Sequence, residues 1–285
     1  MLRRKFLAIA GGAALLQGCS PMALINSAVP SSTYQVTTGI RYGAGPRHVL
    51  DIYQPSKATV SAPVVVFFYG GNWNSGDRAD YLFVGEALAS KGYVAVVPDY
   101  RLYPQVRYPE FLNDSAHAVQ WAFEHSAEWG GDPQRVFLMG HSAGAYNAAM
   151  LALNPAYLRA AGADASRVRG LIGLAGPYDF LPLIGDVTKA VFGYPDTARA
   201  TQPIEYVSSS SPPALLLTAK NDDLVNPGNS LRLARRLQER RVSAQVIAYP
   251  NLGHRTLIGA LAAPLRNWAP VLDDIATFIN ARIRS

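Results

Sequence analysis

The chain has 285 residues, of which 49% are hydrophobic and 16% are charged, and this is sufficient for one large core of the α/β type. Its formal net charge is +6, and subtracting the three basic residues of positions 1–18, which hold no acid, leaves +3. That charge is too small and too scattered to predict a nucleic-acid partner. Cys19 is the one cysteine, which excludes an intrachain disulfide.

Residues 1–18 have the pattern of a signal peptide. Three basic residues precede an apolar run over residues 6–16, about half the roughly 20 residues that a membrane-spanning helix needs. The segment RRKFL resembles the twin-arginine export motif. The segment LQGC, which ends at Cys19, resembles a bacterial lipobox, in which the cysteine receives the lipid. We therefore expect export of the protein and attachment of a lipid to Cys19.

Residues 19–33 have little periodicity, and we expect them to form a flexible lipidated tether. The lipid would anchor the protein to a membrane on the periplasmic side. Ser20 after the cysteine favours the outer membrane in lipoproteins of the type that this segment resembles. The alternative for a lone cysteine is a small buried hydrophobic residue.

From residue 34 to the end, strand-like and helix-like stretches alternate, which predicts a catalytic domain with a mostly parallel sheet and helices on both faces. Eight strands are expected, and the first two form a hairpin: 34–42, 48–53, 64–69, 93–97, 136–139, 168–175, 214–219 and 244–249. Five helices are expected: 81–90, 109–126, 142–153, 227–240 and 267–282. A small insertion precedes the seventh strand. Sheets of this kind place their sites at the carboxyl ends of the strands.

The stretch GHSAG, residues 140–144, lies between the fifth predicted strand and an alanine-rich helix. It fits G-x-S-x-G, the pattern of a nucleophile on a tight strand-to-helix turn. Side chains at positions 140 and 144 would strike neighbouring backbone, and the turn lifts the Ser142 hydroxyl above the sheet. The alternative is a serine that caps a helix. The placement favours a nucleophile, and we interpret His141 as a packing residue.

A nucleophilic serine needs a histidine base and a carboxylate that orients this base, in the chain order acid and then histidine. Asp222 and Asp223 both follow the buried strand 214–219, so either can be the acid and the other can form a turn. His254 follows the next strand. Of the five histidines, it is the only one at the carboxyl end of a strand after the acid.

Glycines after the third strand predict an oxyanion hole. In this turn, YGGNW, backbone N–H groups can face a ligand without obstruction by side chains. We expect one donor from Ala143, the residue after the nucleophile, and a second from Gly71, with Asn72 assisting. The alternative is a plain glycine turn, but the presence of a G-x-S-x-G turn in the same chain favours an oxyanion hole.

The chain from about residue 48 to residue 283 resembles the α/β-hydrolase superfamily. It is most similar to bacterial carboxylesterases of the group that includes feruloyl-esterase-like and hormone-sensitive-lipase-like enzymes. The matching segments are YGGNW, PDYRLYP, GHSAG, NDDLV and GH. The resemblance implies an α/β-hydrolase fold with Ser142 as nucleophile, Asp222 as the acid and His254 as the base. Tyr69 replaces the first residue of the family's usual HGG, and we expect its hydroxyl to support the loop.

The expected substrate is a small ester with a short acyl chain or an aryl group, because no large lid is evident. Phe180 and Phe192 lie in the insertion before the seventh strand, which either covers an acyl pocket or packs as ordinary core. Trp73 either stacks on an aryl group or packs. No cofactor and no metal are expected, since no HExxH or CxxC spacing is present.

Three functions remain open from the sequence. The first is an exported serine carboxylesterase. The second is an amidase, formamidase or peptidase on the same fold. The third is a non-catalytic lipoprotein with a degenerate hydrolase domain, for which Tyr69 is the one argument. The sequence leaves the oligomeric state open.

Overall fold

A computed structural model describes residues 21–57 and 60–283. Within them, eight strands form one sheet in the order β1-β2-β4-β3-β5-β6-β7-β8. The strands are β1 (Tyr34–Arg41), β2 (Val49–Pro55), β3 (Ala62–Phe68), β4 (Val94–Pro98), β5 (Gly131–His141), β6 (Val168–Leu174), β7 (Ala214–Ala219) and β8 (Ala244–Tyr249). Strand β2 is antiparallel to β1 and β4, whereas β3 to β8 run parallel. The predicted α/β-hydrolase sheet is confirmed.

Nine helices of the described residues surround this sheet. They are α1 (Pro21–Ser27), α2 (Leu82–Ser90), α3 (Glu110–His125), α4 (Ala143–Leu153), α5 (Pro155–Ala160), α6 (Asp186–Phe192), α7 (Gly228–Glu239), α8 (His254–Gly259) and α9 (Val271–Ile283). The last helix begins later than predicted, because Pro270 keeps the residue before it out of the helical region. In the part of the chain that the structure describes, no helix has both the length and the apolar character to cross a bilayer.

The central strands are buried on both faces. Every residue of β3 and of β4 is buried, although successive side chains of a strand point to opposite faces. Layers of helices must therefore cover both sides of the sheet, as the continuous apolar runs of these strands predict.

The strand register brings the carboxyl ends of the parallel strands to one edge. Phe68 at the end of β3 lies opposite Gly140 near the end of β5, and His141 lies opposite Leu174 at the end of β6. At the far side of the sheet, Ala219 of β7 lies opposite Tyr249 of β8. The turns that follow β3, β5, β7 and β8 therefore leave the sheet at neighbouring positions.

The segment after the predicted lipid attachment site differs from expectation. Residues 21–27 form helix α1, and Met22, Ile25 and Val29 pack against the hydrophobic core. Asn26 fixes the helix, since its side-chain amide donates to the carbonyl oxygens of Ala79 and Asp80 at 3.0 and 3.1 Å. The prediction that residues 19–33 form a flexible tether is therefore wrong for the described residues 21–33. A seven-residue helix is too short to produce a clear apolar period. The predicted signal peptide and Cys19 lie outside the described residues.

Candidate active site

Ser142 lies on a sharp turn between β5 and α4. Its backbone has φ +55° and ψ −122°, a strained conformation for a residue with a side chain. Close packing of the backbone explains the two glycines of the motif. A Cβ at Gly140 would lie 2.2 Å from the carbonyl oxygen of Gly144, and one at Gly144 would lie 2.0 Å from that of Phe68. The structure thus has the tight turn that the motif predicts.

His254 and Asp222 form a buried pair after β8 and β7. The Nδ1 atom of His254 lies 2.9 Å from Oδ2 of Asp222 and 3.1 Å from Oδ1. The side chains are 5% and 0% exposed. Asp223 is exposed, and the structure does not join it to His254. Of the two carboxylates that the sequence left open, Asp222 is therefore the one beside the histidine.

The environment of Asp222 favours its ionised form. Burial by itself raises the pKa of this carboxyl, but hydrogen bonds from His254 and from the backbone N–H groups of Val225 and Leu224 lower it below its ordinary value. These N–H groups donate to Oδ1 at 2.8 and 3.0 Å. Because an ionised carboxylate only accepts hydrogen bonds, Nδ1 of His254 carries the proton and Nε2 is free to accept one.

Ser142 and His254 line the same cavity, which has a volume of about 800 Å³. No hydrogen bond joins their side chains within residues 21–57 and 60–283. A bond between a nucleophile and its base is commonly long before substrate binds, and it tightens in the complex. The structure therefore brings the two groups to one cavity without connecting them directly.

Backbone N–H groups of Gly71, Asn72 and Ala143 flank the serine. In the described residues, none of the three donates to a backbone or side-chain acceptor of the protein. Gly71 and Asn72 have positive φ values of 127° and 51°, so the chain turns sharply after β3. The Asn72 side chain accepts a hydrogen bond from Thr188 of α6 at 3.1 Å, which ties this loop to the insertion. These N–H groups are free to bind an oxyanion.

Tyr69 supports this loop as expected. It is fully buried, and its hydroxyl donates to Oδ1 of Asp99 at 2.7 Å and accepts from Arg47 at 2.6 Å. Its ring stacks on those of Tyr100 and Tyr81, with centroids 4.9 and 5.4 Å away. A histidine at this position has no hydroxyl for these bonds, whereas the Tyr69 hydroxyl has hydrogen-bond partners in Asp99 and Arg47.

His141 makes a contact that the sequence did not indicate. Its Nε2 lies 3.1 Å from the backbone carbonyl oxygen of His254, and the side chain is 5% exposed. Burial and the neighbouring His254 lower the pKa of His141 to about 3, so the ring is neutral at physiological pH. Interpreting His141 as a packing residue therefore missed a hydrogen bond to His254. Only the fold, which places the first residue of α8 beside the last residue of β5, reveals it.

A second, smaller cavity of about 300 Å³ meets the first at Ser142. Trp73 and Phe180, two of the three residues predicted for a substrate pocket, line this cavity. Phe192 does not line either of these two cavities. It is 4% exposed and packs edge-to-face on Trp73, with ring centroids 4.8 Å apart. The prediction that Phe192 lines the pocket is wrong, because α6 turns this ring into the core behind Trp73.

The smaller cavity also has a charged wall. Nε of Arg232 lies 2.7 Å from Oδ2 of Asp179, and its Nη2 donates to the Asp179 carbonyl oxygen at 2.6 Å. Asn229 and Asn226 line the same cavity. This side of Ser142 therefore combines aromatic rings with paired charges and amides.

Comparison with known proteins gives the family and the fold. The family described as BD-FAE matches residues 50–237. The isoprenylcysteine alpha-carbonyl methylesterase ICME of Arabidopsis thaliana is 29% identical over 87% of this chain and 62% of its own length. Esterase LipC of Mycobacterium tuberculosis is 30% identical over 86% of this chain and 65% of its own length. The chain thus spans less than two thirds of either relative.

Solved structures agree with the fold. A truncated carbohydrate esterase from gut microbiota covers 90% of this chain with a TM-score of 0.77 and 18% identity, and all of that chain is matched. Esterase B from Lactobacillus rhamnosis covers 90% of this chain and 89% of its own, with a TM-score of 0.75 and 21% identity. At these identities the likeness concerns the fold alone.

Proposed function

We propose that this chain, which belongs to the BD-FAE family, is a serine carboxylesterase with Ser142 as nucleophile, His254 as general base and Asp222 as the orienting acid. The hydrogen bond of 2.9 Å between His254 and Asp222, beside a serine held at φ +55° in the same cavity, is the observation that carries the proposal. The relatives reported above are named as ester hydrolases, which favours an ester substrate over an amide. It also favours a catalytic protein over a degenerate one.

Acylation begins when Oγ of Ser142 attacks the ester carbonyl carbon and Nε2 of His254 takes the hydroxyl proton. Asp222 holds Nδ1–H of the ring and stabilises the imidazolium that forms. Negative charge develops on the carbonyl oxygen, which the N–H groups of Ala143 and Gly71 bind, with Asn72 assisting. Donors of this kind each lower the barrier by about 3–4 kcal/mol.

The tetrahedral intermediate then breaks down. The bond to the alcohol oxygen breaks, and Nε2 of His254 returns its proton to that oxygen, so that a neutral alcohol leaves. Water attacks the acyl-enzyme by the same path, giving its proton to His254. Oγ of Ser142 leaves as the carboxylic acid is released, and it regains the proton from His254.

The acyl group is short or carries one aromatic ring. The smaller cavity has a volume of about 300 Å³ and an aromatic wall of Trp73 and Phe180. Trp73 is fixed there, since its indole N–H donates to Oδ1 of Asn147 at 3.1 Å. A rigid indole beside the nucleophile favours flat or small acyl groups.

Initial rates on p-nitrophenyl acetate, butyrate and palmitate, and on the matched amide p-nitroacetanilide, test this function. We expect hydrolysis of the short esters, little activity on palmitate, and none on any substrate with Ser142→Ala. Activity on the amide that exceeds activity on the esters would contradict the ester assignment. Equal rates for the wild-type protein and Ser142→Ala would contradict a serine mechanism.

The proposal also includes the cellular location of the protein. The twin-arginine-like and lipobox-like segments support export and a lipid on Cys19, with the enzyme on the periplasmic side of the outer membrane. Expression of the full chain and of Cys19→Ala in a bacterial host, with metabolic labelling by a radioactive fatty acid, tests it. Label on the wild-type chain alone is expected. An unlabelled wild-type chain in the cytosol would contradict the proposal.

A further inference from the structure

The two cavities that meet at Ser142 differ in their access to the base. His254 lines the cavity of about 800 Å³, and it is absent from the wall of the cavity of about 300 Å³. Ala143, one of the oxyanion donors, lines the smaller cavity instead. The serine therefore has its general acid on one side only.

This asymmetry determines the orientation of an ester. The leaving alcohol oxygen must accept a proton from Nε2 of His254 as its bond to the carbonyl carbon breaks, so it must lie within hydrogen-bond reach of that atom. The remainder of the alcohol continues from this oxygen into the space beside His254, and the acyl chain extends away from it. We propose that the larger cavity binds the alcohol part of the substrate and that this alcohol is large and apolar. This inference rests on the proposed esterase function.

The walls of the larger cavity fit such a group. Apolar side chains come from four separate parts of the fold: Met22, Ile25, Tyr81, Ile258, Leu265 and Trp268. Arg255 is the only Lys, Arg, Asp or Glu among the described residues of this wall. The smaller cavity, in contrast, includes the ion pair of Asp179 with Arg232. An alkyl or terpenoid alcohol therefore gains more by burial in the larger cavity than in the smaller one.

Helix α1 makes one wall of this alcohol site. Met22 and Ile25 are three residues apart, which places them on the same face of the helix, and both line the cavity. Leu24, between them, is 60% exposed and is not part of the wall. The hydrogen bonds of Asn26 to the carbonyl oxygens of Ala79 and Asp80 hold the helix in place. The segment directly after Cys19 therefore contributes to substrate selection.

Two isomeric esters test the assignment without any mutation. Octyl acetate and ethyl octanoate have the same formula and release primary alcohols of similar acidity, but they differ in which side of the ester carries the long chain. With the full chain we expect kcat/KM for octyl acetate to exceed that for ethyl octanoate by about tenfold or more, given the gain per buried methylene. A preference for ethyl octanoate, or equal values, would overturn the proposal.

Variants of α1 show whether this helix makes the site. The readout is the ratio of kcat/KM for octyl acetate to kcat/KM for ethyl acetate. We expect Ile25→Arg to lower this ratio by about tenfold. The control Leu24→Arg, which introduces arginine at the neighbouring exposed position, should leave the ratio unchanged. Ile25→Ala, a milder change, should lower the ratio in the same direction if the arginine variant does not fold. An unchanged ratio in Ile25→Ala would overturn the role of α1. Hydrolysis of p-nitrophenyl acetate by the wild-type protein, absent in Ser142→Ala, separates a failure of this proposal from a failure of the esterase function.

Discussion

Nε2 of His141 lies 3.1 Å from the backbone carbonyl oxygen of His254, so the residue before the proposed nucleophile is hydrogen-bonded to the residue proposed as the base. The two imidazole rings are 4.8 Å apart and tilted by 45°. Because a carbonyl oxygen only accepts hydrogen bonds, the proton of the neutral His141 ring is on Nε2. We therefore expect His141 to act as a positioning residue, which affects the proposed reaction through His254.

Removing this hydrogen bond should impair turnover more than binding. We expect His141→Leu to lower kcat by about tenfold, in line with a buried hydrogen bond of about 1–1.5 kcal/mol, with KM nearly unchanged. His141→Gln, which can place an amide N–H near the position of Nε2, should recover most of kcat. Steady-state kinetics on p-nitrophenyl acetate measure both constants. Equal kcat values for the leucine variant and the wild-type protein would show that the contact does not position the base.

The same residue makes stability depend on pH. The pKa of His141 falls from an ordinary value of 6.5 to about 3 in the folded protein, because burial and the neighbouring His254 disfavour the charged ring. Between these values the unfolded chain binds a proton that the folded chain does not, so stability is lost as pH falls below 6.5. At pH 5, His141 lowers the free energy of unfolding by about 2 kcal/mol relative to pH 7.

Denaturant unfolding at pH 7 and pH 5 tests this pH dependence with His141→Gln as the reference. The free energy of unfolding should fall more steeply in the wild-type protein than in this variant, which has no titrating group at position 141. The pKa of Asp222 is lowered, so its contribution is lost only below the ordinary carboxyl pKa of about 3.9 and does not interfere at pH 5. An identical loss in both proteins would assign the pH dependence to other groups.

Two adjacent carboxylates provide a matched test of the acid. Asp222→Asn should lower kcat by about 10³–10⁴-fold, because an amide in place of the carboxylate disfavours the correct tautomer of His254 and does not stabilise the imidazolium. Asp223→Asn, a change of the same kind at an exposed neighbour, should leave kcat near that of the wild-type protein. The reverse order of effects would make Asp223 the acid.

Phe180 and Phe192 should respond differently to the same truncation. Phe180 lines the smaller cavity, so Phe180→Ala should raise the ratio of kcat/KM on p-nitrophenyl hexanoate to that on the acetate by about tenfold. Phe192 is buried behind Trp73, so Phe192→Ala should lower the free energy of unfolding by about 3–5 kcal/mol and leave this ratio unchanged. A changed ratio in Phe192→Ala at unchanged stability would place this ring in the acyl pocket.

Local patterns predicted the sheet and the residues at its edge. The buried strands are continuous apolar runs, so 214–219 and 244–249 agree with β7 and β8 in both bounds. Ser142 and His254 are predictable because glycines and strand ends mark their turns. Contacts between distant segments were not predictable in this way. The bond of His141 to His254 spans 113 residues, and the place of Met22 in the cavity wall depends on how α1 packs.

The same reason explains the residues that the sequence misplaced. Phe192 lies in an apolar stretch, and the direction of its side chain depends on where α6 begins. One side of that helix faces the core, while Thr188 on the same helix donates a hydrogen bond to Asn72. The choice between Asp222 and Asp223 depended on a resemblance, because both follow the same strand. In the structure, the N–H groups of Leu224 and Val225 turn the side chain of Asp222 toward His254.

Ser142 is the residue that we propose forms the acyl-enzyme, with His254 as its base. Treating the full chain with diethyl p-nitrophenyl phosphate and mapping the labelled peptide by mass spectrometry tests it most directly, because this reagent phosphorylates an activated serine. We expect loss of esterase activity in step with one diethylphosphoryl group on Ser142, and no label there in His254→Ala. Esterase activity that survives full labelling of Ser142, or that is lost with the label on another residue, would contradict the assignment of Ser142 as the nucleophile.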